Sequence, residues 1–330
     1  MTHAAASTAS SDADRLVVVT GGAGFIGSHL VERLLADGHS VAVIDDASTG
    51  RWDNLRAVRS HPRLSLFATR VSECRELPEL CARASHIFHL AAAVGVDLVL
   101  REPLRCLQTN LRETEAVLAA AGAQGVPVVL ASSSEVYGRS GREMFGEDDD
   151  LIIGSPQFTR WGYACSKLMD EFLALAWARE HRLPVVVARV FNTVGPRQTG
   201  SHGMVLPRFI AAAQAGEPLR VFGDGTQTRC FCWIGDTVEA LVRLSLTPAA
   251  RGEVFNIGSD EEVSVRDLAT RVVALLGSRS AIELVPYQAA YGPGFEDLPR
   301  RRPRLEKLEQ FTGFRPRTSL DEIIRRTAGV

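Results

Sequence analysis

The chain has 330 residues, 45% of them apolar and 23% charged, which is the composition of a globular protein and excludes a disordered or fibrous one. Its 37 basic and 39 acidic side chains leave a net charge of −2, without the basic surplus of a general nucleic-acid binder. Only two of the basic residues are lysines, Lys167 and Lys307, so a lysine at a chemically meaningful spacing stands out.

Residues 1–14 read as a floppy Ala/Ser/Thr tail, with Asp12 and Asp14 where a signal peptide needs its apolar core. No run of about 18 uninterrupted apolar residues occurs, so no spanning helix is expected. The six cysteines are too few for a disulfide scaffold of this length. Cys230-x-Cys232 lacks the usual two-residue zinc gap, so no metal is expected. Reduced, packing cysteines and a cytoplasmic location follow.

Leu16–Thr20 reads as a buried strand, Gly21–Gly27 as a glycine-rich turn and Ser28–Asp37 as a helix. Further strands are expected at Val41–Ile44, Leu64–Ala68, His86–Leu90, Val126–Ser132 and Val185–Val190. Helices are expected at Leu104–Ala121 and Tyr163–Glu180. Short buried strands alternating with helices predict an α/β fold, a doubly wound parallel sheet covered on both faces. After Asn192 loops lengthen, with Gly195-Pro196, Pro207, Gly223-Asp224-Gly225, Pro286 and Gly292-Pro293-Gly294 as punctuation. Helices are expected there at 203–215, 236–246 and 264–276. The division expected is a dinucleotide-binding domain over 15–193 and a smaller substrate lobe over 194–330. Residues 233–259 are candidates to return to the first domain.

Gly21, Gly24 and Gly27 follow a strand and open a helix. Gly21 allows the tight turn, Gly24 lets backbone approach a pyrophosphate at the helix N-terminus, and Gly27 allows close helix–strand packing. Asp45 ends the second strand, where a carboxylate accepts hydrogen bonds from the adenosine ribose hydroxyls and repels a 2′-phosphate. NAD is therefore the expected cofactor. Tyr163 and Lys167, four apart on a helix, share a face. An ammonium beside a phenol is expected to lower its pKa, so that Tyr163 takes a proton from a substrate hydroxyl. Ser133, at a strand end, is placed to share that oxygen.

With these residues in order the chain resembles the extended short-chain dehydrogenase/reductases that modify nucleotide sugars. The resemblance runs from Leu16 to about Ile324. It rests on TGGAGFIG at 20–27, His89-Leu90-Ala91-Ala92, the run Ser132–Gly138, and Tyr163-Ala164-Cys165-Ser166-Lys167. Arg189-Val190-Phe191-Asn192 through Arg197 and Gly223–Arg229 complete it. It implies a Rossmann domain that binds NAD through the glycine turn with Phe25 and Ile26, through Leu90, Ala91 and Ala92, and through Asn110, Tyr163 and Lys167. It further implies a UDP- or dTDP-sugar substrate, a homodimer, and Tyr163 as base supported by Lys167 and Ser133. Asn192 and Arg229 match diphosphate-binding positions, and Val205 and Leu206 the stretch that cradles the uracil. Arg70 stands where the family usually has an Asp facing the adenine amine.

The shared first step is oxidation at sugar C4. A C5 carboxylate then leaves as CO2, a C6 hydroxyl is eliminated as water, or the sugar rotates and is reduced as its 4-epimer. Glu135, two residues from Ser133 in extended chain, is expected on the same face. The Ser-Glu-Val-Tyr-Gly form resembles UDP-glucuronate decarboxylases, as does Arg160-Trp161 before the tyrosine. Of the run Arg300-Arg301-Arg302-Pro303, the alignment on the proline gives Arg301 the arginine role of that group, to hold the C6 carboxylate or help protonate C5. Arg304 stands where that group has Asp. The expected activity is decarboxylation of UDP-glucuronate to UDP-xylose. The alternatives are a 4-epimerase and, behind it, a 4,6-dehydratase. A non-catalytic NAD-binding regulator is disfavoured because Ser133, Tyr163 and Lys167 are all present. The dimer would form through Leu111, Val117 and Leu118 of one helix and Leu168, Phe172 and Leu175 of the other.

Overall fold

The computed structural model describes residues 15–198, 204–286, 298 and 300–330. The Gly292-Pro293-Gly294 turn and the first residue of the expected 203–215 helix lie outside them. A seven-stranded parallel sheet forms the base of the molecule. It contains β1 (Leu16–Thr20), β2 (Ser40–Ile44), β3 (Leu64–Phe67), β4 (Ala84–His89), β5 (Val128–Ser133), β6 (Val185–Val190) and β11 (Val254–Ile257), in the order β11-β6-β5-β4-β1-β2-β3. These strands are apolar on both faces because helices cover both. Val17, Val19, Val41 and Val43 pack towards α1 (Phe25–Ala36) and α7 (Ile234–Leu246). Val18, Ile44, Ile87 and Leu130 pack towards α2 (Leu77–Arg83), α4 (Pro103–Gln124) and α5 (Arg160–His181).

The strand order reverses between β1 and β4. At such a point the connections leave in opposite directions and a crevice opens beyond the strand ends. The glycine turn after β1 and the Leu90–Ala92 segment after β4 meet there. α2 and α3 (Val96–Arg101) span two turns or fewer, too short for a helical period to show in the sequence, which does not predict them.

The C-terminal part has its own core. Leu206, Phe209 and Ile210 of α6 (Val205–Ala215) pack on Leu268 and Val272 of α8 (Val265–Leu275) and on Leu320 and Ile323 of a C-terminal helix, Leu320–Ala328. Small two-stranded pairs fill in the lobe. β7 (Thr193–Val194) pairs with β10 (Cys232–Trp233), β8 (Leu219–Phe222) with β13 (Ile282–Val285), and β9 (Thr228–Cys230) with β12 (Glu262–Ser264). The helices Glu306–Thr312 and Leu320–Ala328 become α9 and α10, neither expected from the sequence. No described helix is long and apolar enough to cross a membrane.

Candidate active site

One cavity of about 500 Å³ runs from the glycine turn, past the ends of β4 and β5, to the C-terminal lobe. At its first end Gly21 has φ +72°, and a Cβ there would meet the Ala91 backbone nitrogen at 2.7 Å. A Cβ on Gly27 would lie 2.1 Å from the Gly21 carbonyl oxygen. The turn is thus closed against both β4 and its own helix, and α1 begins at Phe25 with its N-terminus towards the cavity. His89 fastens the floor. It is wholly buried, hydrogen-bonded to Thr20 Oγ1 (2.7 Å) and Thr114 Oγ1 (3.1 Å), and burial, then the Lys167 charge, pushes its pKa down to about 3.

Asp45 accepts the Ala23 N–H at 2.9 Å through one oxygen and the Ala47 N–H at 2.7 Å through the other. Burial raises its pKa and these two bonds oppose the rise. A carboxylate has about four acceptor positions, so two remain for ribose hydroxyls. Phe25, Ile26, Leu90, Ala91 and Ala92 line the same end. Asn110 stands behind it, accepting the Ala93 N–H at 2.7 Å and donating to Ser166 Oγ at 3.0 Å, so it orders the wall and α5 together. Arg70 also lines the cavity, 3.4 Å from Asp46. A turn with no room for a Cβ at Gly21 or Gly27, a helix N-terminus for a pyrophosphate and a strand-end carboxylate fit NAD.

The reacting end lies where β5 meets α5. Ser133 is the last residue of β5, and Ser134–Tyr137 then winds into a 3₁₀ turn capped by the Ser133 hydroxyl, which accepts the Glu135 N–H at 3.3 Å. The extended geometry expected for Ser133 and Glu135 is therefore wrong in its local detail. Both side chains still line the cavity, because the turn starts at Ser134 and carries Glu135 back over the strand end. Tyr163 is half-buried, lines the cavity with Ser133, and lies near enough to the Ser133 hydroxyl to be stabilised by it.

The expected lowering of the Tyr163 pKa is also not what the structure shows. Burial raises it, the Glu135 charge adds to the rise, and the Ser133 hydroxyl opposes it. The lysine's charge is already engaged: Lys167 Nζ is 2.8 Å from Asp170 Oδ2, with both side chains buried. Sequence reading missed Asp170. Its signal was available, an acid three residues after the lysine on the same helix face.

Arg301 is the one arginine of 300–302 that lines the cavity, and its Nη1 lies 2.5 Å from Glu135 Oε1. Arg160 Nη2 approaches the other Glu135 oxygen at 3.5 Å. Burial would raise the Glu135 pKa, but Arg301 and then Arg160 outweigh it and hold the carboxyl below its usual range. Arg300 points away to Glu262 at 2.7 Å. A short bridge fixes this loop: Phe145 N–H donates to the Arg302 carbonyl and Arg304 N–H to the Phe145 carbonyl, both at 2.8 Å.

Asn192, Arg229 and Val205 line the far end. Asn192 Nδ2 donates to the Cys230 carbonyl at 3.0 Å, and Arg229 Nη1 to the Leu298 carbonyl at 2.9 Å. Leu206 lines this end too while its side chain is buried in the lobe's apolar core, and Val205 is the more open of the two.

A buried polar network behind the site was not legible in the sequence. Arg189 makes a bidentate pair with Glu171 (Nη2–Oε2 2.8 Å, Nε–Oε1 3.0 Å), Glu171 accepts the Ser132 hydroxyl at 2.5 Å, and Arg189 donates to the Tyr137 hydroxyl at 3.0 Å. Tyr137 in turn donates to Asn256 at 2.7 Å. The network ties α5 to β5, β6 and β11, and so sets Tyr163 against Ser133.

The description "NAD dependent epimerase/dehydratase family" fits this geometry, and that family's model matches residues 17–258. The chain is 38% identical over 311 residues to a UDP-N-acetyl-alpha-D-glucosaminuronate decarboxylase of Bacillus cytotoxicus, covering 94% of this chain and 95% of that protein. It is 34% identical over 319 residues to UDP-glucuronic acid decarboxylase 1 of Danio rerio, covering 96% of this chain and 73% of that protein. Among solved structures, a UDP-glucose 4-epimerase of Thermotoga maritima with UDP-glucose aligns with a TM-score of 0.84 at 28% identity, over 95% and 97% of the two chains. The chain belongs to the NAD-dependent epimerase/dehydratase family of extended short-chain dehydrogenase/reductases.

Proposed function

We propose that this protein is a decarboxylase of UDP-glucuronate that retains its NAD and releases UDP-xylose. One observation carries the reading. The only acid beside Tyr163 in the cleft turn, Glu135, is bound by Arg301 and Arg160, with Arg229 close enough to lower its pKa further. Three guanidiniums around one carboxylate leave a positive surplus, which suits a substrate that brings a carboxylate of its own. A 4-epimerase of neutral sugars has no use for that surplus. A 4,6-dehydratase needs a proton donor as well as a base at C5–C6. Here Glu135 is held ionised and its neighbour Ser134 is buried.

The chemistry follows from these positions. NAD, which the glycine turn, Asp45 and the Leu90–Ala92 segment would hold, would supply the hydride acceptor at sugar C4 and the donor for the closing reduction. Tyr163, with the Ser133 hydroxyl on the same oxygen, takes the O4 proton and later restores it. Oxidation makes the C6 carboxylate that of a β-keto acid, so the C5–C6 bond breaks, CO2 leaves with no net electron change, and the enolate left behind takes a proton from water at C5 before C4 is reduced again. Arg301 and Arg160 hold the carboxylate in place and stabilise the enolate charge left behind. Asn192 and Arg229 hold the diphosphate, and Val205 borders the uracil. The positive cluster recognises the carboxylate and is indifferent to C2, so the sugar of the Bacillus relative is the comparison substrate.

Incubation of the NAD-loaded protein with UDP-glucuronate should release one CO2 per sugar and yield a UDP-pentose, read by mass spectrometry. Recovery of UDP-galacturonate with all carbons retained would sink the reading. Faster turnover of UDP-N-acetylglucosaminuronate would keep decarboxylation and change the sugar. We further infer that the protein works as a homodimer through α4 and α5.

A further inference from the structure

Lys167 and Tyr163 sit one turn apart on α5, yet the ammonium is bonded to Asp170 at 2.8 Å in a pair almost closed to solvent. Asp170 is wholly buried, and its Oδ1 has no hydrogen-bond partner among the described residues. Nothing in the proton transfer assigned to Tyr163 calls for a buried carboxylate at this place. Leaving one there is costly unless it is paired, so its only evident partner is the lysine.

The groups packed around the pair are few. From α5 come Tyr163 and the Ser166 hydroxyl, which donates to the Tyr163 carbonyl at 2.8 Å. From β4 comes His89, neutral in its buried place. From α4 come the Cys106 thiol, raised by burial, and the uncharged Asn110. From the turn after β5 come Ser133 and Glu135. Asp170 and Glu135 thus supply the negative charge near the phenol, and both push its ionisation upward. Among the described residues, Glu135's charge is met by Arg301 and Arg160, and Asp170's by Lys167.

We propose that Asp170 is a positioning residue for the oxidation step: it holds the Lys167 ammonium in place, cancels much of its field at Tyr163, and so sets the pH at which the phenol gives up its proton. An isolated ammonium acts on a neighbouring phenol as a full charge. Paired at 2.8 Å it acts as a short dipole, whose field falls off much faster with distance. The proposal rests on Tyr163 as the base, as in the function proposed above.

The test is Asp170→Asn, which keeps the shape and removes the charge. The chain has four tyrosines, so a tyrosine label with ¹³C at Cζ gives few signals in the NAD-loaded protein, and Tyr163→Phe assigns the one of interest. In Asp170→Asn the Tyr163 ionisation should fall by about one pH unit or more, the usual effect of an uncompensated charge at this range. The acid limb of kcat/KM should move down with it, and Asp170→Glu should return both towards the parent. An unmoved Tyr163 signal with a lowered Tm would overturn the proposal and leave Asp170 as scaffolding. If Asp170→Asn does not fold, the smaller neutral Asp170→Ser carries the same measurements. Absence of CO2 release by the parent protein would overturn the function while the tyrosine signal still decides the role of Asp170.

Discussion

Glu135 and Arg301 are separated by 166 positions and joined by one short ion pair. The pair is what distinguishes this cleft from a generic sugar oxidoreductase, so it is where a single substitution should be most informative. Arg301→Gln removes a charged donor from the carboxylate's place, and a hydrogen bond to a charged group is worth about 1.5–3 kcal/mol. The KM for UDP-glucuronate should therefore rise about 10- to 100-fold, with a smaller effect on a neutral UDP-glucose as competitor. The pH dependence follows from the lowered Glu135 pKa. In the parent the carboxylate keeps its charge until the pH falls through that lowered value. Without Arg301 it protonates at higher pH, so an acid limb belonging to Glu135 should move upward. Equal weakening of both ligands with an unmoved limb would refute the assignment.

At the scale of elements, the site is a meeting of strand ends and helix starts. The β1 turn is closed to side chains, so the cofactor end is shaped by backbone. The β5 end is different, since its geometry depends on α5, and α5 is held by a charge pair inside the core. Removing one partner of a buried pair typically costs about 3–5 kcal/mol, because the other charge is left uncompensated. Glu171→Ala should destabilise the fold by that amount, as it strands Arg189 beside Tyr137 and frees Ser132. Urea denaturation measures it. A loss under 1 kcal/mol would mean that the network is exchangeable for packing alone.

For the whole molecule, the exposed apolar residues of α4 and α5 are the face on which the second copy of the proposed homodimer would dock. Of the six residues expected there, Phe172 is exposed, Leu111 is half-buried and the other four differ. Val117 and Leu118 lie in the core under α4, and Leu168 and Leu175 pack inward from α5. The exposed set is Leu104 and Leu107 on α4 with Met169 and Phe172 on α5, Phe172 at 59% exposure. Two helices with such a patch side by side suit an isologous contact, in which each copy presents the same face. Sedimentation should give a dimer. Met169→Glu with Phe172→Glu should give a folded monomer, and a dimer that survives this pair of changes would place the interface elsewhere.

The cofactor half was legible before any coordinates. Gly21, Gly24, Gly27 and Asp45 act through local backbone geometry and through strand and helix periodicity, and both are written in adjacent residues. The same holds for the buried strands, whose apolar runs can only be covered on both faces. Tyr163 and Lys167 were legible as a pair for the same reason, being one helical turn apart. The partners of these groups were not. Arg301 was named from the alignment on the proline and does line the cleft, but that it pairs with Glu135 depends on the loop that the Phe145 bridge orients, and the partner of Lys167 depends on which side of α5 is closed to water. Leu206 borders the cavity and is also part of the lobe's core, because the packing of α6 on α8 decides which face of that helix is inside. Charge pairing and burial are decided between segments far apart in the chain, where distance and dielectric are set by tertiary structure and no spacing in the sequence encodes them.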